Sequence, residues 1–443
     1  MAPAALALLI PDPEEILRSE PTSPGPIQLL IARLCRRDAP DHLALLDIEG
    51  LTETSTAQAF LAECARHGVR GLVLKRLLDA RSTEPAAESG WAALFEPLPL
   101  LRKQATLWEL EQDRILTALR SAGTHPIVLK GGALRHMAYD HPLERWMGDL
   151  DLLVHAEDMT PLLSTLSTLG YSSEYSAAAR EGIEEHHYHH VVTHPNGFIV
   201  EAHQGLTRPG APCALDPVRF FQRATEIHPS GGAPMLVPSP EDMVLHLVSQ
   251  IEQEGCRRLS RIVDLDRVIA AFTELDWDYL RNRGEAGNLG VALAVSLRLA
   301  NLLLSTPVPD WAANGRGLPP ASRRGTELAR PVEHLLFAKS QGVVAAQDLF
   351  RFWLLPSWTL RGARLRELAA RRADPLEWVW EGKESPEEGE EISNGGLGRL
   401  LKMAAYQLWT ETAGRFGRAS VAGSGTRHFW GQDPEDHTPG GTG

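Results

Sequence analysis

The sequence predicts an α+β fold, a small mixed-sheet core flanked by N-terminal and C-terminal helical regions. Three observations carry that expectation. Apolar residues recur at helical spacing on both sides of a central stretch, the period within that stretch switches to two, and a Gly pair and a Pro-Asn-Gly turn punctuate it. The chain has 443 residues, enough for two or three domains, and its 43% hydrophobic content can build a sizeable core.

Residues 1–25 are Pro-rich and loosely patterned, and are expected to form a flexible N-terminus. Residues 26–122 have helical apolar spacing. Phe60, Leu61 and Cys64, then Val69, Leu72, Leu74 and Leu77, suit two short amphipathic helices separated by a break at Gly68. In the last helix of this region, Leu107, Leu110, Ile115 and Leu119 mark one face.

The core is expected over 123–238. The run from Pro126 to Lys130 reads as a short buried strand leading into Gly131-Gly132. From Gly148 to Val154 the pattern alternates: Leu150, Leu152 and Val154 point one way, Asp149 and Asp151 the other. A helix follows, with Pro161 near its first turn and Gly170 past its end. The segments starting at Tyr171, His186 and Gly197 read as further strands, with Pro195-Asn196-Gly197 joining the last two, so that 123–205 runs β-α-β-α-β-β. Helical spacing returns over 239–416, where Ser239 is an N-cap followed by acidic residues in the first turn. The acidic run 381–396 reads as an exposed loop, and 417–443, rich in Gly, Ser and Thr, as a disordered tail.

The net charge of −13 disfavours a broad electrostatic grip on nucleic acid, although a local basic patch remains compatible with RNA. Cys35, Cys64, Cys213 and Cys256 are far apart and form no CxxC pair, which argues against a zinc ribbon or disulfide framework and fits a reducing compartment. The apolar start lacks a basic segment and is followed by acidic residues, and no run of 18 apolar residues occurs. A cytoplasmic protein with no membrane partner is expected.

Asp149 and Asp151 are separated by one residue on a strand and therefore share a face. Placed side by side they repel unless a cation lies between them. Such a pair invites Mg²⁺, a hard ion that takes one or two carboxylates and keeps positions open for phosphates. A pair of carboxylates at this spacing also fits a plain solvated strand face. Lys130-Gly131-Gly132 lies between a strand and a helix, where glycine lets the backbone approach a ligand and the helix start offers free N–H groups to a phosphate. It fits an ordinary strand-to-helix turn as well.

Together, Leu129-Lys130-Gly131, Arg145 and Asp149-Leu150-Asp151-Leu152-Leu153-Val154 resemble the nucleotidyltransferase superfamily that includes DNA polymerase beta. The likeness is to its bacterial branch of uncharacterised nucleotidyltransferases and type IV toxin–antitoxin nucleotidyltransferases, and is clear over about 123–206. The resemblance implies that Asp149 and Asp151 ligate two Mg²⁺ ions and that a third carboxylate on a neighbouring strand completes the site. Glu201 holds that position, sharing a strand face with Ile199 and His203. It would ligate the acceptor-side metal and help deprotonate the attacking hydroxyl. The implied reaction moves a nucleoside monophosphate from an NTP, such as ATP, to an acceptor hydroxyl on RNA, protein, peptide or small molecule, with release of pyrophosphate. A catalytically inactive nucleotide-binding scaffold is the alternative.

The chain departs from the superfamily pattern. Gly131-Gly132 replaces Gly-Ser, so backbone donors must stand in for a hydroxyl. The interval from Gly132 to Asp149 is long, with a helix through Tyr139 and a loop containing Pro142. Ala202 and Gln204 flank His203 where the family has Leu and Trp. Lys130, Gly131 and Gly132 are expected at the phosphates, and Arg145 is a candidate contact to the triphosphate. The cluster His186, His187, His189 and His190 alternates across a strand, so all four cannot converge on one zinc. Asp264, a candidate for orienting the site, and Arg257 and Arg258, candidate triphosphate contacts, read more readily as solvated helix surface, and Trp353, Trp358, Trp378 and Trp380 as core rather than a base-stacking platform.

Overall fold

The computed structural model describes residues 26–38, 54–81, 92–173 and 189–319, with short pieces at 322–323, 336, 351, 354–357 and 359–364. Expectations for the N-terminal 25 residues, for His186 and His187, for the four late tryptophans, for the acidic run and for the tail lie outside the described residues.

At the centre is a six-stranded mixed sheet in the order β3-β4-β2-β1-β6-β5. Its strands are β1 (Ile127–Val128), β2 (Leu150–Leu153), β3 (His189–Thr193), β4 (Ile199–His203), β5 (Thr225–Ile227) and β6 (Met235–Val237). β1 runs antiparallel to β2 and parallel to β6, β2 runs parallel to β4, and β3–β4 and β5–β6 are antiparallel pairs. The expected Pro-Asn-Gly turn closes the β3–β4 pair, with Gly197 at φ +85°. Ser172 contributes only a single bridge to Thr193. The β5–β6 pair is an addition to the predicted strand order.

Before the sheet lie α1 (Pro26–Cys35), α2 (Thr54–Arg66), α3 (Arg70–Arg81), α4 (Ala92–Phe95) and α5 (Leu98–Ser121). The break between α2 and α3 falls at His67-Gly68, as the spacing predicts, with Gly68 at φ +69°. That break has a structural task at a distance. The buried His67 accepts from Leu259 N at Nδ1 and from Ser260 N at its carbonyl, satisfying amides at the start of a later helix that has no side-chain cap of its own.

On α5 the buried residues are Leu98, Leu101, Trp108, Gln112, Ile115, Leu116 and Leu119. Leu107 and Leu110 are instead 41% and 64% exposed, which corrects the predicted face. The inward positions one helical turn apart are taken by Trp108 and by polar Gln112, whose amide donates to the Gly132 carbonyl at 3.2 Å. Counting apolar residues alone misses a buried glutamine with a partner.

Within and after the sheet come α6 (Lys130–Met137), a 3-10 turn at Pro142–Glu144, α7 (Met159–Thr168) and α8 (Pro217–Arg223). The chain continues through α9 (Pro240–Glu254), α10 (Leu259–Ala271), α11 (Trp277–Ala286), α12 (Gly290–Leu304) and α13 (Asp310–Asn314). Ser239 caps α9 by accepting from Asp242 N, with Glu241 and Asp242 in the first turn, and Gly255 at φ +69° ends it. α9 is buried on every side from Asp242 to Glu252, as a helix running through an interior must be. One hydrophobic core joins residues from all three predicted segments, from Ile31 through Val128 to Leu297.

Candidate active site

The parallel register of β2 and β4 sets Leu150 opposite Val200, Asp151 opposite Glu201, Leu152 opposite Ala202 and Leu153 opposite His203. Leu150, Val200, Leu152 and Ala202 are fully buried and form the packed face. Asp151, Glu201 and His203 share the other, because alternate residues of a strand point the same way. Their ligating atoms lie within 4.8 Å of one another, the spacing a metal ion needs. His203 Nε2 stands 2.9 Å from Asp151 Oδ1 and 3.4 Å from Glu201 Oε2.

Lys130, the first residue of α6, reaches the same acids. Its Nζ donates to Asp151 Oδ1 at 2.5 Å and lies 3.8 Å from Glu201 Oε2. Its φ of +44° is left-handed, a conformation a lysine adopts only under constraint. Burial alone would ease deprotonation, but Asp151, Glu201 and Asp149 overcome it and raise the Lys130 pKa, so the ammonium stays charged. Burial likewise opposes ionisation of Asp151, yet Lys130 and His203 hold its carboxyl well below the usual range. His203 is raised: desolvation works against its cationic form, and hydrogen bonds to Asp151 and Glu201 outweigh it.

Asp149 precedes β2 by one residue and is half-buried, outside the closely spaced trio. It belongs to the same electrostatic group. Burial, then the charges of Asp151 and Glu201, push its pKa up to about 6, against the pull of Lys130 and Arg261. The two aspartates are thus held in opposite senses, one firmly ionised and one close to taking a proton.

Gly131 and Gly132 lie in the first turn of α6 rather than ahead of it. A Cβ on Gly132 would come within 2.8 Å of Leu150 Cδ1 and Val128 Cγ1, so the glycine lets α6 lie directly on the strands. A Cβ on Gly131 would meet Met147 Cγ at 3.0 Å. This close packing holds the start of α6, with its free amides, beside β2.

Arg145 is 9% exposed and its Nε donates to Asp264 Oδ1 at 2.7 Å, while Nη1 donates to the Trp146 carbonyl at 2.5 Å. Tyr139 Oη donates to the same Asp264 oxygen at 2.7 Å. Asp264 is fully buried, which corrects its reading as solvated helix surface. Its partners are more than a hundred residues away in sequence, so local spacing cannot reveal them. Arg257 and Arg258 precede α10, in the turn after α9, and are half-buried and exposed respectively. On β3, His190 is buried and the His189 ring lies 5.1 Å from that of His203.

Two further residues escaped the sequence reading. Arg261 of α10 is paired with Glu254 at 2.6 Å and acts on Asp149 and Asp151 through charge. His246 of α9 is 2% exposed, neither ring nitrogen has a hydrogen-bond partner among the described residues, and burial followed by the Lys130 charge lowers its pKa to about 3. A single histidine between leucines, in a helix that also carries acidic and amide residues, gives no signal of this kind before the fold is known.

The fold and the carboxylate face therefore belong to the α+β class that presents acidic side chains from adjacent strands. A family described as uncharacterised nucleotidyltransferase matches residues 53–305, more than half of the chain, and the chain belongs to that family. No curated protein matches the sequence. The match spans α2 to α12, so the helices before the sheet and those after it belong to the family region along with the strands. Among the described residues, no helix is long and apolar enough to cross a membrane.

Proposed function

We propose that this chain is a Mg²⁺-dependent nucleotidyltransferase that moves a nucleoside monophosphate from an NTP to an acceptor hydroxyl and releases pyrophosphate. The observation that carries the proposal is the face-to-face register of Asp151 and Glu201, with their oxygens and the His203 nitrogen within 4.8 Å of one another. The donor chemistry fits Mg²⁺: carboxylate oxygens dominate, and Asp149, coupled by charge to Asp151 and Glu201, adds a further one nearby. Asp149, Asp151 and Glu201 are the residues assigned to two ions. When bound, those ions would neutralise charge on the attacking and leaving oxygens of an in-line displacement.

The chain's own residues account for the rest. The amides at the start of α6, held close to β2 by the packing at Gly131 and Gly132, offer donors to the triphosphate. Lys130 supplies a permanently charged ammonium beside them. Glu201, 21% exposed at its side chain against 1% for Asp151, is assigned to take the proton of the acceptor hydroxyl. The acceptor oxygen then bonds to the α-phosphorus, the bond from that phosphorus to the bridging oxygen breaks, and pyrophosphate leaves with the electron pair. His203 holds Asp151 in one orientation. Arg145, a predicted triphosphate contact, is assigned a positioning role because its guanidinium is turned to Asp264 and Trp146.

The test is incubation of the pure chain with each labelled NTP and Mg²⁺, alone and with RNA or protein acceptors. Label transfer or pyrophosphate release by wild type and its loss in Asp151→Asn supports the proposal. Nucleotide binding without turnover under every condition supports the scaffold alternative.

A further inference from the structure

We infer that Lys130 is a built-in counter-ion that keeps the carboxylates closed to a metal ion until a nucleotide arrives, so that metal and nucleotide bind cooperatively. The inference rests on the metal reading of the site given above.

The ammonium of Lys130 sits against Asp151 and Glu201, two of the acids assigned to the metal. Two positive centres cannot share those oxygens without strong repulsion, least of all where Asp151 is 1% exposed and the dielectric is low. A metal entering alone must break a buried ion pair and leave the ammonium without a partner, which is costly. A nucleoside triphosphate changes that balance. Lys130 is also the residue from which α6 starts, so its ammonium lies within one side chain's length of the helix amides that face a phosphate. Polyphosphate gives the ammonium a second anion to hold, and the carboxylates are then free for the metal. In this paired state the Lys130 backbone sits in the costly left-handed region, at φ +44°. Linkage makes the effect reciprocal, so metal tightens nucleotide by the same factor.

The experiment measures Mn²⁺ binding by electron paramagnetic resonance, with and without a non-hydrolysable NTP analogue, on wild type, Lys130→Met and Lys130→Arg. Wild type should bind Mn²⁺ alone weakly. Lys130→Met should bind it about tenfold more tightly without analogue and show a smaller gain when analogue is added. Lys130→Arg, which keeps the charge, should resemble wild type. Lys130→Gln gives the same comparison where the Met variant does not fold. Equal Mn²⁺ affinity of wild type and Lys130→Met without analogue overturns the gate while leaving the metal site standing. Failure of all forms to bind Mn²⁺ even with analogue overturns both the gate and the function it rests on.

Discussion

Arg145 and Asp264, 119 residues apart, meet through a 2.7 Å contact from Nε to Oδ1, with both side chains withdrawn from solvent. The pair ties the loop leading to β2, and so Asp149, to α10 of the helical region. Breaking one side of a buried pair leaves the other charge unmatched and costs more than removing both. Asp264→Ala is expected to lower stability by about 3–5 kcal/mol, and Tyr139→Phe, which removes one hydrogen bond to the same oxygen, by about 1 kcal/mol. Asp264→Ala combined with Arg145→Met should lose less than the sum of the two single variants. Urea denaturation of the four forms checks this, and strict additivity contradicts the coupling.

Gly132 is required by the close approach of α6 to the sheet. A methyl group there lies 2.8 Å from both Leu150 Cδ1 and Val128 Cγ1, neither of which can withdraw from a fully buried position without repacking. Gly132→Ala is expected to cost about 1–3 kcal/mol and to lower the melting temperature. Gly123→Ala is the contrast for space: no atom lies within 4 Å of its Cβ position, so any loss there reflects its φ of +81° alone. Gly132, at a negative φ in a helix, is sensitive through packing. An unchanged melting temperature for Gly132→Ala contradicts the packing assigned to it.

Asp149 gives the site a pH dependence of known sign. Its carboxyl is raised from 3.8 to about 6 by burial and by Asp151, so the folded protein holds the proton more firmly than the unfolded chain. Stability from this group is fully present below pH 3.8 and is lost as pH rises through about 6, leaving a penalty of about 3 kcal/mol above that window. Asp149→Asn is therefore expected to raise the metal-free melting temperature at pH 7.5 and to make no difference near pH 3.5. Thermal melts across that range check it. A variant less stable than wild type at pH 7.5 contradicts the assignment.

Local chemistry in the sequence carried a good part of this site. The strand containing Asp151, the strand containing Glu201, the turn at Gly197 and the strand-to-helix junction at Lys130 all depend on residues within a few positions of one another, and the structure contains each of them. The parallel pairing that sets Asp151 against Glu201 fixes which acids meet; the resemblance supplied that match, and the alternation of side chains was compatible with it. Other features were hidden for physical reasons. β5 and β6 have only three residues each, too few for a period to show, and β6 is held by a parallel pairing with β1 from a distant part of the chain. Gln112 and Asp264 are polar and buried, each bonded through one side-chain atom to a partner distant in sequence, and sequence spacing assigns such residues to the surface. The ammonium of Lys130 turned towards Asp151 accompanies a left-handed backbone at a non-glycine residue, which no local pattern announces.

The central claim is that Asp151 and Glu201 hold a divalent cation next to a nucleotide. Anomalous scattering at the manganese edge, from crystals grown with Mn²⁺ and a non-hydrolysable NTP analogue, tests it most directly. The expected result is a peak in bonding contact with the carboxylates of Asp151 and Glu201 and with the analogue's phosphates. Phosphates bound elsewhere, or a nucleotide in place with no manganese on either carboxylate, would contradict it.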